Sequence, residues 1–188
     1  ACRRACRFRQ RNNRRADALL KYSRMTISLT GFMGAGKTVT GQALARMLGW
    51  EFIDLDSYVS HKKGMAVPDI IRSEGEEAFR AVEAECLRDV LIMQELSGKD
   101  LVLALGGGTA TIGSIGHLIF GQTSCVWLQA SLDTVRERIG DGIASRPLFS
   151  EELFEERLGI YAKAPFCVVT DGRTPEDGAE EVRLLICK

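Results

Sequence analysis

From Met25 onward, short apolar runs alternate with stretches in which apolar residues recur every three or four positions. Runs of four to six residues rich in β-branched side chains fit buried strands, whereas the wider spacing fits helices that turn one face to a core. On this basis strands are predicted over 26–30, 51–54, 101–105, 124–128 and 166–170. Helices are predicted over 37–48, 57–62, 67–73, 76–96, 132–139, 151–162 and 175–186. Pro68 and Pro175 suit first helical turns, where a missing N–H costs nothing. Strands that alternate with helices imply an α/β domain whose five-stranded, mostly parallel sheet is flanked by helices. Ligands of such sheets sit beyond the carboxyl ends of the strands. The unusual clusters of this chain all follow strand ends: residues 31–38, Asp54-Leu55-Asp56, Gly106-Gly107-Gly108 and Asp171-Gly172-Arg173. That coincidence predicts one shared site.

Composition adds a division of the chain. At 188 residues and 45% hydrophobic, it can build one domain with a full core. Its 25 basic and 25 acidic residues cancel overall but not locally. Residues 1–24 hold nine of the basic side chains and one acid, Asp17, leaving a net charge of −8 from Met25 onward. Residues 1–24 are therefore read as a basic extension, disordered or extraneous, and 25–188 as the folded unit. A targeting peptide or a nucleic-acid arm is the alternative for the extension, although transit peptides are Ser-rich and this one has only Ser23. Six cysteines form no C-x-x-C pair, and Cys125 and Cys167 in strand-like runs are expected to be buried thiols of a reducing compartment. His61 and His117 have no ligand partners at useful spacing. No apolar run approaches the ~20 residues of a membrane span. A cytoplasmic monomer without membrane or nucleic-acid partners is expected, plastid targeting being the variant in which the extension is a transit peptide.

Gly31-Phe32-Met33-Gly34-Ala35-Gly36-Lys37-Thr38 fits G-x-x-x-x-G-K-[ST] at every fixed position, between a strand and a helix. Glycines let backbone N–H groups turn inward around a phosphate chain, and the helix that follows aims its positive end at the anion. Lys37 is expected to reach the β- and γ-phosphates and the Thr38 hydroxyl to ligate Mg²⁺. A bound nucleotide is the implied ligand.

Asp54 and Asp56 flank Leu55, so strand alternation sends both carboxylates to one side. One can hold a water of the Mg²⁺ ion and the other can accept from an acceptor hydroxyl. The competing reading makes Asp56 an N-cap for a helix starting at Ser57. Arg80 lies in the N-terminal half of a long helix, where a cation is disfavoured. It is either a surface partner of Glu83 or a fork for a carboxylate. Gly106, Gly107 and Gly108 suggest close backbone approach to a ligand. Arg146, before Pro147, lies in a loop-like stretch and suits a lid that neutralises a transferring phosphoryl group.

Together these pieces resemble shikimate kinase. The resemblance runs from Met25 to about Val182 and rests on the phosphate loop, Asp54-Leu55-Asp56, Gly75-Glu76-Glu77-Ala78-Phe79-Arg80, Leu105-Gly106-Gly107-Gly108, Arg146-Pro147-Leu148 and Arg157-x-x-x-Tyr161. It implies a three-layer P-loop kinase fold and transfer of a phosphoryl group from ATP to the 3-hydroxyl of shikimate, with Mg²⁺ as cofactor. By resemblance, Gly34, Ala35, Gly36, Lys37 and Thr38 bind ATP, and Thr38 and, through water, Asp54 hold the metal. Asp56 binds and orients the acceptor hydroxyls, while Arg80 and Arg157 clamp its carboxylate beside Gly106, Gly107 and Gly108. Lys37, Asp56 and Arg146 form the catalytic set. Arg138 covers the adenine, opposite Arg173 and Pro175. Ten residues separate Arg146 from Arg157, a shorter lid segment than the family's, and Ala104 stands where relatives often carry Ser. The short lid motivates one alternative, a non-catalytic nucleotide-binding domain of the same fold, and a kinase of another small hydroxy acid such as gluconate is the other.

Overall fold

Thr26–Thr30 (β1) is buried along its whole length, its hydroxyl residues Thr26, Ser28 and Thr30 as well as Ile27 and Leu29, because it is the central strand with neighbours on both edges. In the computed structural model, which describes residues 25–140, 142 and 148–187, it is joined by Glu51–Asp54 (β2), Leu101–Ala104 (β3), Ser124–Gln129 (β4) and Phe166–Val169 (β5). The five strands form one sheet in the order β2-β3-β1-β4-β5. All four pairings are parallel, so "mostly parallel" becomes wholly parallel among the described residues. The basic extension, Arg146 and Pro147 lie outside the described residues.

Eight α-helices among the described residues flank the sheet: Lys37–Leu48 (α1), Leu55–Lys63 (α2), Val67–Glu74 (α3), Glu76–Ser97 (α4), Gly113–Gln122 (α5), Leu132–Ile139 (α6), Glu151–Tyr161 (α7) and Pro175–Ile186 (α8). Local chemistry starts most of them. Asp54, Ser131 and Ser150 cap α2, α6 and α7 through their side chains. Thr174 and Asp177 form a reciprocal capping box at α8, with Pro175 in its first turn. The core brings together Ile27, Leu29, Leu44, Leu87, Leu103, Ile119 and Leu128, each at most 1% exposed.

Two expectations are corrected. The sequence pattern predicts no helix where α5 forms, because Gly113, Gly116 and Gly121 depress helix propensity. Burial of Ile115 and Ile119 supplies the stability that propensity lacks. Cys125 is buried as expected, but Cys167 is exposed, because β5 is an edge strand paired only with β4.

Candidate active site

The carboxyl end of β1 runs directly into the phosphate loop. Gly31, Gly34 and Gly36 have φ of 143°, 82° and 94°, and no described non-glycine residue has positive φ. At Gly31 space forbids a side chain as well, since a Cβ there would lie 2.5 Å from the Leu128 carbonyl oxygen. Gly36 caps α1 with no side-chain hydrogen bond, which leaves the first helical amides available to an anion. Lys37 is buried and folds across the loop, its Nζ donating to the carbonyls of Gly31 (2.8 Å) and Phe32 (3.0 Å).

Thr38 Oγ1 donates to Asp54 Oδ2 at 2.6 Å. The other oxygen of Asp54 accepts from Ser57 N at 3.0 Å. This geometry revises the reading of the acidic pair. Helix α2 starts at Leu55 rather than Ser57, and its cap is Asp54, the last residue of the strand. Strand alternation therefore stops at Asp54, and Asp56 reaches the site from the first helical turn. No cluster of three or more His, Cys, Asp or Glu side chains that could hold a metal occurs among the described residues. One hydroxyl and one carboxylate are sparse, hard-oxygen donors, which fits Mg²⁺, an ion that retains waters and takes phosphate oxygens.

Beside the loop lies a cavity of about 200 Å³ lined by Met33, Asp56, Arg80, Gly107, Gly108 and Arg157, with Val67, Pro68, Ile71, Phe79 and Leu148 as an apolar wall. Of the residues predicted to receive an acceptor, all but Gly106 thus line one space. Arg80 is no surface residue: its side chain is 17% exposed and it donates to Glu83 Oε2 at 2.6 Å, while Glu76 takes the other side of the fork at 2.9 Å. Glu83 is 0% exposed and also accepts from the Thr109 hydroxyl. Arg157 is 5% exposed, with its guanidinium 5.9 Å from the centroid of the Phe32 ring. Among the described residues no carboxylate forms an ion pair with it.

The glycines after β3 make this convergence possible. A Cβ at Gly106 would lie 2.5 Å from both Asp56 Oδ1 and Glu83 Oε1, and one at Gly108 would overlap the Arg80 guanidinium. The same geometry puts two carboxylates close together. Burial, then the Glu83 charge, pushes Asp56 up from 3.8 to about 6, against the opposing pull of Lys37.

On the far side of the loop, Arg138 donates to Thr170 Oγ1 (3.0 Å), Thr170 O (2.5 Å) and the Ala35 carbonyl (3.3 Å). It is thereby held against the phosphate loop. Arg173 pairs with Glu181 of α8, and Pro175 opens that helix.

The model of the shikimate kinase family matches residues 33–186. The chain belongs to this family. A shikimate kinase from Thermus thermophilus is 44% identical over 165 residues, spanning 83% of this chain and 86% of that protein. One from Salinispora arenicola is 40% identical over 166 residues, spanning 84% and 95%. Among solved structures, shikimate kinase from Acinetobacter baumannii in complex with shikimate matches with a TM-score of 0.79 and 31% identity, covering 88% of this chain and 94% of that one.

Within this family member, sequence reasoning missed what Glu83 and Thr109 do and saw Tyr161 only as a motif letter. Glu83 carried a readable signal, because it falls on the buried stripe of α4 with Phe79, Ala84, Cys86, Leu87 and Val90. A lone carboxylate in such a stripe must have partners.

Proposed function

We infer that this chain is a shikimate kinase, transferring the γ-phosphoryl group of ATP to the 3-hydroxyl of shikimate and releasing ADP and shikimate 3-phosphate. The observation that carries the acceptor reading is Arg157, a buried cation with no described carboxylate partner, in the same cavity as Asp56 and Arg80. An uncompensated buried charge is costly, and a bound anion would relieve that cost. A small polyhydroxylated carboxylate meets both guanidinium groups through its carboxylate and Asp56 through its hydroxyls.

In the proposed mechanism the 3-hydroxyl oxygen attacks the γ-phosphorus, the bond from that phosphorus to the β–γ bridging oxygen breaks, and the hydroxyl proton passes to the Asp56 carboxylate. A base near pH 6 matches that role. Because the transfer has a loose transition state, most of the catalysis is positioning and charge neutralisation. Lys37 is to leave the Gly31 and Phe32 carbonyls for the phosphate oxygens, and the N–H groups of 34–38 are to cradle the chain. Thr38 and Asp54 would hold Mg²⁺, which supplies charge neutralisation on the phosphates when bound. Arg146 is proposed as the lid cation, and Arg138, Arg173 and Pro175 as the adenine walls. Measuring ADP release from Mg-ATP with and without shikimate tests the reading. Shikimate-dependent turnover that EDTA abolishes is expected, and its absence, or turnover with gluconate instead, overturns it.

A further inference from the structure

Tyr161 lies four residues after Arg157 on α7, so both side chains face the same way. It is 0% exposed, with its ring 6.2 Å from that of Trp127. Its hydroxyl donates to the Gly107 carbonyl at 2.5 Å. The same glycine lies against Arg157, whose Nη1 would be 3.7 Å from a Cβ at Gly107. Burial pushes the Tyr161 hydroxyl up to about 12, so it remains a donor throughout the working range. Gly107 has no side chain to restrict its torsions, and fixing its carbonyl fixes the whole plane of the peptide to Gly108. One buried hydroxyl therefore fastens α7, the helix that carries Arg157, to the glycine loop after β3.

We propose that Tyr161 is a positioning residue that ties Arg157 to the Gly106-Gly107-Gly108 loop and so sets the pocket for the acceptor carboxylate. This rests on the reading that Arg157 and Gly107 receive that carboxylate. The test compares kcat/KM for shikimate with kcat/KM for its uncharged carboxamide, in the wild type and in Tyr161→Phe. The variant should raise the KM for shikimate about three- to tenfold, the worth of one hydrogen bond, while kcat and the KM for ATP stay within about twofold. Its preference for acid over amide should fall by the same factor. Both substrates meet one preparation, so any loss of folded enzyme cancels from that ratio. Trp127→Phe, which loosens packing on the same ring without removing the hydroxyl, should lower Tm and leave the ratio unchanged. A Tyr161→Phe ratio equal to that of wild type overturns the proposal. A wild-type enzyme that takes acid and amide equally well overturns the carboxylate reading beneath it.

Discussion

Asp56→Asn should make the protein more stable while abolishing its turnover. The carboxyl of Asp56 ionises near 3.8 when exposed and near 6 in the fold, chiefly because it is buried and secondarily because Glu83 is beside it. The folded state therefore binds this proton more tightly than the unfolded state does. Above pH 6 the fold must hold an ionised group it disfavours, and the gap corresponds to about 3 kcal/mol at 1.36 kcal/mol per tenfold. Stability from this group is greatest below pH 4 and declines as pH rises from about 4 to 6. A neutral amide of the same size escapes the penalty, so Asp56→Asn should gain up to about 3 kcal/mol near pH 7.5, or roughly 6–12 °C in Tm for a domain of this size. Urea unfolding near pH 7.5 and near pH 4 is the assay. The advantage should shrink at the lower pH, where the wild-type carboxyl is protonated too. An Asp56→Asn variant no more stable than wild type at pH 7.5, or equally favoured at both pH values, would refute the reasoning.

Glu83→Gln removes the buried partner of Arg80 and should destabilise by about 3 kcal/mol in a denaturant titration. The same change withdraws a charge that raises Asp56, so the acid limb of the kcat–pH profile should move to lower pH; an unmoved limb would separate the two carboxylates. Lys37→Ala should lower kcat by at least about 10²-fold with little change in shikimate affinity measured by calorimetry. Gly108→Ala places a methyl group on the guanidinium of Arg80, which Glu76 and Glu83 hold in place. Its KM for shikimate should therefore rise severalfold while that for ATP is unchanged.

The parts of the site legible in sequence were those whose chemistry is local. Gly31 to Thr38 declares itself because every residue with a special backbone requirement is within eight positions. Asp54 and Asp56 were found because both follow a strand end, although which of them caps α2 depended on where the helix starts. Glu83 was misjudged for a different reason. Its place on the buried stripe of α4 marks it as buried, but which groups meet it there, Thr109 and Gly106 from the segment after β3, is set by the tertiary fold. Tyr161 hides in the same way, because its partner Gly107 lies 54 positions earlier in the chain. Helix α5 shows the converse failure, where tertiary burial overrides a glycine-rich local sequence.

The strand order has a consequence for how this enzyme can change. Strand β1, bearing the phosphate loop, has β3 and then β2 on one side and β4 and then β5 on the other. In the proposed reading, Asp56 and the glycine loop hang from the first flank, while Arg138, anchored on Thr170, stands on the second. The acceptor side is nonetheless shared between the flanks, because Arg157 reaches the same cavity from α7, in the crossover from β4 to β5. Substitutions after β2 and β3 can therefore reshape how acceptor hydroxyls are met while the nucleotide grip is kept, whereas the carboxylate contact at Arg157 is tied to the flank that carries Arg138.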